Sequence, residues 1–493
     1  MDGPTGGARR SDGLGSAERV RTGSPGRPMA WRLSAPSRAP PRHAPPPAAA
    51  AAADLPRVAT HFYLEHPAVA ALSQEEVDAI RSSLDISVLG DECPNPVGSF
   101  LQASFPSIML DAISAAGFAS PTPIQRQAWP VAMKGLDMVG CAQTGSGKTL
   151  AFLLPAFVHV NAQPLSQPGD GPLALILAPT RELAGQILDE SVRFGHPCGV
   201  RSTLVVGGVP KGPQVLALRK APEVVVATPG RLTDLLGAKR TELTRCTYLV
   251  LDEADRMLDL GFEPQIRLLL HQMRADRQTL LFSATWPAEV QQLAGRVLLP
   301  GAVTVEVGGA LAAGGRANVR IAQRITVCAE GAKFAALVNI LEEGMSDALD
   351  NDSADETPRL MVFCSSKKRC DDVTRALRVD GWPALGIHGD KPQEERDWVL
   401  HEFKTGASPL LIATDVAQRG LDIAGVGLVV NFDCPASGEA YVHRIGRSGR
   451  AGRAGSAHTL LTHDDARVAG EILRVMKRAG QSVPVELESL AMK

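Results

Sequence analysis

Ala142-Gln143-Thr144-Gly145-Ser146-Gly147-Lys148-Thr149 is the stretch of the chain with the most chemistry in it. The apolar run Leu136 to Cys141 ahead of it reads as a buried strand, and Thr149 to Leu154 reads as the start of a helix. A glycine loop between strand and helix turns its backbone N–H groups inward, where they and the positive helix end cradle phosphate oxygens. In that setting Lys148 reaches the β- and γ-phosphates and the Thr149 hydroxyl holds Mg2+. Ala142 stands where the strict pattern has its first glycine. About a hundred residues on, the apolar run Tyr248 to Leu251 ends in Asp252-Glu253-Ala254-Asp255. An acidic pair at a strand end, downstream of a phosphate loop, is a Walker-B arrangement. Asp252 would hold Mg2+ through water, and Glu253 would orient and deprotonate an attacking water. Acidic residues suit any helix N-terminus, but the phosphate loop tips the reading toward catalysis.

These residues need elements to hold them. From about residue 100 to 307, short apolar runs alternate with amphipathic helical stretches: Leu173 to Ala178, Ser202 to Val206, Val224 to Ala227, Tyr248 to Leu251 and Thr279 to Phe282. That alternation predicts an α/β domain, a mostly parallel, doubly wound sheet with helices on both faces. Sites in such sheets lie at the carboxyl ends of strands. Those ends are followed by Pro179-Thr180-Arg181-Glu182, Gly207-Gly208, Thr228-Pro229-Gly230-Arg231, the acidic tetrad, and Ser283-Ala284-Thr285. Residues 308 to 320 are glycine-rich, as a hinge should be. A second β–α series spans 321 to 480, with strands at Arg359 to Cys364, Ala384 to Ile387, Pro409 to Ala413 and Gly427 to Phe432. It has no second phosphate loop, so the second sheet is expected to complete the first site. The acidic insert Glu342 to Glu356 reads as a solvated loop, residues 59 to 99 as a flank, and 481 to 493 as a tail.

The chain has 493 residues and a net charge of only −2, so a polyanionic partner must meet a local basic groove. Eight cysteines without a CxxC pair suggest reduced thiols in an intracellular protein, with no zinc site and no disulfide framework. No apolar stretch is long enough to span a bilayer. Residues 1 to 58 are rich in Gly, Ala, Pro, Ser and Arg, with nine arginines and no lysine, and read as a disordered extension. Two functional readings compete with a plain solvated tail. One is an RNA-contacting arm; the other is an organelle transit peptide, because Met29 to Ala53 lacks Asp and Glu.

Asp252-Glu253-Ala254-Asp255 resembles the signature of the DEAD-box RNA helicases of superfamily two. Gly117-Phe-Ala-Ser-Pro-Thr-Pro-Ile-Gln125, with Phe100 upstream, is similar to that family's Q motif. The resemblance implies that the Gln125 carboxamide reads the adenine edge and that Phe100 stacks on the ring. It further implies that Ser283 and Thr285 couple hydrolysis to closure through Asp255. RNA contacts are implied for Pro179, Thr180, Arg181, Gly208, Thr228, Pro229, Gly230 and Arg231. In the second domain, Tyr441-Val-His443-Arg444-Ile-Gly-Arg447-Ser448-Gly-Arg450 resembles the last motif of the family, with Ser448 where threonine is usual. Arg447 and Arg450 are then arginine fingers, and His443 links to the acidic motif. Ala413-Thr414-Asp415 to Asp422 resembles motif V, which places Asp422 on the ATP ribose and Thr414 on RNA. Gln393 to Arg396 matches a further RNA-contacting element. The resemblance runs from about 95 to 480, and the flank is similar to that of the multi-purpose nuclear members.

The family implies two tandem RecA-like domains, ATP and Mg2+ as cofactors, RNA gripped by its backbone, a monomer with protein partners in a ribonucleoprotein, no membrane, and a nuclear or cytoplasmic location. The expected activity is RNA-stimulated ATP hydrolysis that drives local unwinding. An ATP-gated RNA clamp with little turnover is the alternative; intact Lys148, Glu253, Arg447 and Arg450 argue against it. A DNA translocase and a small-molecule kinase or GTPase fit less well. The Gln125 motif and the acidic tetrad speak against the translocase, and the kinase or GTPase leaves the second domain unexplained and lacks a guanine-reading Asn-Lys-x-Asp element.

Overall fold

The computed structural model describes residues 58–90, 92–143, 145–309, 321–350 (side chains to 346), 359–415, 426–448 and 455–492. The expectations for residues 1–57 and for most of the 308–320 hinge lie outside it.

The first sheet has eight strands: β1 Ile86–Leu89, β2 Met138–Cys141, β3 Ala174–Leu177, β4 Ser202–Val205, β5 Val224–Ala227, β6 Tyr248–Leu251, β7 Gln278–Ser283 and β8 Val303–Val307. Their order is β1-β8-β2-β7-β6-β3-β5-β4, parallel throughout except for the β1–β8 edge. The strands are apolar because both faces are covered, and their two-residue period sends alternate side chains into different layers. Ala174, Ile176, Val224, Val226, Tyr248 and Val250 enter one core. Their neighbours Leu175, Leu177, Val225, Ala227, Leu249 and Leu251 enter the other.

With both faces apolar, polarity does not set the register of β2. Asp137 does. Its carboxylate accepts the N–H groups of Thr279 and Leu299, each at 2.7 Å, and so pins the strand before the phosphate loop against the approach to β8 and the start of β7. Burial pushes the Asp137 carboxyl up, and the two backbone N–H groups pull it back down.

The second sheet has six strands: β9 Ile321–Val327, β10 Arg359–Cys364, β11 Ala384–Ile387, β12 Leu410–Thr414, β13 Val426–Asn431 and β14 Gly455–Leu461. They run parallel in the order β11-β12-β10-β13-β14-β9. Met361 and Phe363 fill one core of this sheet, Leu360, Val362 and Cys364 the other. The two α/β sheets are those the sequence predicts, with β1, β8, β9 and β14 as additions.

The sequence reading differs from the structure in three places. The flank, for which no strand was expected, contributes β1 to the first sheet. The acidic insert is not a loop as far as Asp350, since it continues the helix Lys333–Asp350. Val485–Ala491 is a helix whose Leu487 and Leu490 are buried, so the second core reaches past residue 480. All eight cysteines are unpaired; Cys141, Cys246, Cys364 and Cys370 are buried and the other four partly exposed. Among the described residues, no helix is long and apolar enough to cross a membrane.

Candidate active site

The phosphate loop joins β2 to the helix Lys148–Asn161. Gly145 and Gly147 adopt φ of +80° and +91°, which side chains disfavour. At Gly147 a Cβ would also lie 2.7 Å from Gln125 Nε2. The loop is closed by its own lysine: buried Lys148 donates to the Ala142 carbonyl at 2.7 Å, while the Ala142 N–H donates to Ser283 O at 3.1 Å. The Ser146 N–H donates to Gln143 O at 3.3 Å. Gln125 sits at the third position of the helix Pro123–Met133. Its Oε1 accepts the Thr122 N–H at 3.0 Å, and its Nε2 donates to Gly147 O at 3.0 Å. One donor and one acceptor of the carboxamide remain for a ligand.

A cleft of about 440 Å³ opens over this loop. Gly145, Gly147, Lys148, Thr149 and Gln125 line it, together with Asp252, Glu253 and Arg447. Arg447, buried, reaches it from the second α/β domain. Thr144, Asp422 and Arg450 lie outside the described residues. Phe100 does not line the cleft. Its ring packs on Trp129, with centroids 5.8 Å apart, in a short 3-10 turn. The aromatic ring at the cleft is Phe118, 43% exposed and stacked on Phe194 at 6.3 Å. Phe118 follows Gly117, whose φ is +78°.

Asp252 and Glu253 follow β6. Glu253 has the left-handed φ of +51°, and the Asp252 carboxylate accepts its N–H at 3.0 Å. Such a conformation in a non-glycine residue costs about 1–3 kcal/mol and is characteristic of sites where geometry matters more than stability. Burial pushes the Asp252 carboxyl up to about 7. Lys148 opposes the rise, and neighbouring Glu253 and Asp255 add to it.

Asp255 is the junction with the remaining motifs. Its Oδ2 accepts the Thr285 hydroxyl at 2.7 Å and the Thr285 N–H at 3.1 Å, and His443 Nε2 lies 3.6 Å away. Ser283 donates to the Thr285 carbonyl at 2.7 Å. The helix Ala288–Val297 has no side-chain cap; Thr285 bonds the acidic motif instead, and Ser283 bonds Thr285.

A second groove, about 580 Å³, is lined by Pro179, Thr180, Arg181, Gly208, Thr228, Gly230 and Arg231. Pro229, buried, starts the helix Pro229–Gly237 behind it. Arg181 donates to Gly207 O at 3.0 Å and Arg231 to Val209 O at 2.9 Å. Gly208, at φ +74°, is needed here because a Cβ would collide with Arg181 Nη1. Arg396 enters from the second domain and pairs with Glu182 at 2.5 Å. Burial draws the Arg181 guanidinium down, and Arg396 and Arg231 beside it act the same way. Arg181 Nη2 and Arg396 Nε are buried without a hydrogen-bond partner. Thr414 ends β12, buried, and does not line this groove. Glu182, absent from the sequence-derived set, could not be assigned without knowing what faces it.

Two family models match in tandem: "DEAD/DEAH box helicase" over residues 122–293 and "Helicase conserved C-terminal domain" over 332–452. The chain is 53% identical over 444 residues to DEAD-box ATP-dependent RNA helicase 20 of Oryza sativa subsp. japonica, covering 90% of this chain and 87% of that protein. This chain belongs to the DEAD-box helicase family. It is also 51% identical over 434 residues to ATP-dependent RNA helicase DBP2 of Scheffersomyces stipitis, covering 88% of this chain and 80% of that one. Among solved structures, S. cerevisiae Dbp5 bound to RNA and ADP BeF3 superposes with a TM-score of 0.67 at 30% identity, covering 80% of this chain and 99% of that chain. Mss116p bound to ssRNA and AMP-PNP gives 0.69 at 26% identity, covering 81% and 83%. For a DEAD-box chain, the two openings described above fall where strand ends and motifs coincide.

Proposed function

We propose that this chain is an ATP-dependent RNA helicase, in which RNA-stimulated ATP hydrolysis drives closure of the two α/β domains, local opening of short duplexes and remodelling of ribonucleoproteins. The observation that carries this reading is that each opening draws residues from both domains. Arg447 joins Lys148, Asp252 and Glu253 in one, and Arg396 joins Arg181 and Arg231 in the other. Neither site is complete in a separated domain, so ligands that fill both must favour closure. Such coupling is reciprocal: RNA tightens ATP binding by the factor by which ATP tightens RNA binding.

In the cleft, Gln125 presents its free donor and acceptor to the adenine edge, with Phe118 in place of Phe100 as the aromatic surface. Lys148 and Arg447 balance charge on the terminal phosphate, and Glu253 takes the proton of the attacking water. Arg450 would add a second finger and Asp422 a ribose contact. The residues suit Mg2+, since buried Asp252 carries a raised pKa beside two further carboxylates and a bound cation would hold it ionised. Thr149 and Asp252 would hold the ion, which supplies electrostatic stabilisation of the phosphates. In the groove, backbone N–H groups and arginines address sugar and phosphate, so RNA is bound without sequence preference and a protein partner supplies the address. Thr414 is kept as a further phosphate contact. Eight unpaired cysteines support an intracellular location.

The test is ATP hydrolysis at saturating ATP with and without single-stranded RNA, with single-stranded DNA as control, beside Glu253→Gln. RNA-stimulated turnover that disappears in the variant is expected. Tight ATP-dependent RNA binding with negligible turnover would make the protein a clamp, and equal stimulation by DNA would refute the RNA assignment.

A further inference from the structure

The helix Pro123–Met133, which carries Gln125, is gripped from two sides. Toward the phosphate loop, Gln125 donates to Gly147 O, and one turn on Trp129 Nε1 donates to Leu150 O, both at 3.0 Å. Residues four apart share a helix face, and residues two apart do not. Gln127 therefore faces away from the cleft. It is fully buried, and its hydrogen bonds go to the upstream segment. Arg81 Nε donates to Gln127 Oε1 at 3.0 Å, and Gln127 Nε2 donates to Pro94 O at 2.8 Å and to Cys93 Sγ at 3.2 Å. Arg81 Nη2 donates to the same Pro94 carbonyl at 3.2 Å.

The backbone is tied as well. Pro130 lies inside the helix and has no N–H for the Arg126 carbonyl, four residues back. The Val97 N–H makes that bond instead, at 3.0 Å. Near the helix end, the Phe62 N–H takes the Met133 carbonyl at 2.6 Å, one of the acceptors a helix terminus leaves open. Trp129 is packed against Phe105 as well as Phe100, the Phe105 centroid lying 5.1 Å away.

We propose that Arg81 and residues 93–105 form a positioning brace for the nucleotide site, and that Arg81 is a positioning residue for base selection acting through Gln127. The brace fixes the rotation of the helix, and with it the place of the Gln125 carboxamide. On a helix of ~5–6 Å outer radius, a turn of ~10° moves a side-chain tip by ~1 Å. A shift of that size takes a ~2.9 Å hydrogen bond out of range. Without the brace the phosphate loop still binds phosphates, but the adenine edge is read poorly. This inference rests on the reading of Gln125 as the adenine-reading residue.

The experiment measures full saturation curves for RNA-stimulated hydrolysis of ATP and of GTP by the unaltered chain and by Gln125→Ala, Arg81→Met and Arg81→Lys. Arg81→Met keeps the aliphatic stem and removes every donor. It is expected to raise the KM for ATP about tenfold, the size of a lost charge-assisted hydrogen bond, with little change in kcat or in the GTP curve. The preference for ATP then falls about tenfold, as in Gln125→Ala, and Arg81→Lys, which still donates one bond, recovers part of it. Equal losses on ATP and GTP, or a lower melting temperature with the preference intact, would overturn the proposal by making Arg81 merely structural. If Gln125→Ala itself keeps the preference, the underlying reading of Gln125 fails and the proposal falls with it. Should Arg81→Met be too unstable to assay, Gln127→Met deletes the same contacts from the helix side and is judged by the same outcomes.

Discussion

The Glu182–Arg396 pair is where closure can be weakened without touching the ATP cleft. Glu182 stands in the first turn of the helix Arg181–Gly195, and Arg396 in the first turn of the helix Gln393–Thr405 of the other domain. Their side chains are only 9% and 14% exposed, and Arg396 Nη2 lies 2.5 Å from Glu182 Oε1. The perturbation is Glu182→Gln, which keeps the shape and one hydrogen-bond acceptor but removes the charge. Breaking a fully buried pair from one side costs about 3–5 kcal/mol. The residual neutral hydrogen bond, worth ~1 kcal/mol, and partial solvent access reduce that to about 2 kcal/mol, or roughly thirtyfold in the closure equilibrium. The groove also loses a negative charge beside Arg181 and Arg231, so RNA binding without nucleotide should hold or strengthen. The assay is the KM for ATP with and without saturating RNA; the ratio of the two values should shrink by about thirtyfold. In a double-mutant cycle with Arg396→Gln, the pair should show a coupling of about 1–3 kcal/mol. Additive effects together with an unchanged ratio would refute the argument, because the pair would then not be a contact of the closed state.

Three further outcomes follow from the geometry. Gly208→Ala should move the Arg181 guanidinium and raise the RNA concentration for half-maximal ATPase stimulation about tenfold while RNA-independent turnover is unchanged; an unaltered RNA requirement would show that Arg181 is not a groove ligand. Thr285→Val removes the hydroxyl donated to Asp255, worth about 1.5–3 kcal/mol for a charged acceptor, and should lower duplex unwinding more than ATP hydrolysis; equal loss of both would count against a coupling role. The third concerns pH. Asp252 keeps its proton in the ligand-free fold up to about 7, whereas the unfolded chain releases it near ~4. The folded state thus binds more protons between those values, and stability falls as pH rises through the window. Nucleotide-free thermal midpoints should decline more steeply from pH 5 to 7 than those of Asp252→Asn, and equal slopes would show that Asp252 does not titrate there.

What was legible in the sequence was chemistry compressed into short runs. Lys148, Asp252 and Glu253 announce themselves because a phosphate loop and a strand-end acidic pair work over a few consecutive residues, whereas Arg181 and Arg231 were singled out only by the family resemblance. The apolar strands of both sheets were equally plain, since a strand covered on both faces has to be continuously apolar. What escaped was partnership at a distance. Nothing near Glu182 points to Arg396, and nothing in the flank points to Gln127, because each contact joins residues the chain keeps far apart. Phe100 and Phe118 illustrate the limit of motif matching. Both are aromatic, Phe118 inside the Gly117–Gln125 stretch and Phe100 upstream of it, but only the fold shows that Phe118 lines the cleft while Phe100 packs on Trp129. The acidic insert was misread for a different reason. Its charged residues can face solvent from a helix as readily as from a loop.

The order of the first sheet also bears on synthesis. The strand leading into the phosphate loop, β2, is flanked by β7 and β8, both of which lie far downstream in the chain. At ~5–20 residues per second, the growing chain spends roughly seven to twenty-seven seconds between Cys141 and Gln278, where β7 starts. Throughout that interval the phosphate loop leaves the ribosome without either neighbour of its strand. The nascent chain therefore cannot capture nucleotide early, and ATP binding has to wait until the whole of the first sheet has been made.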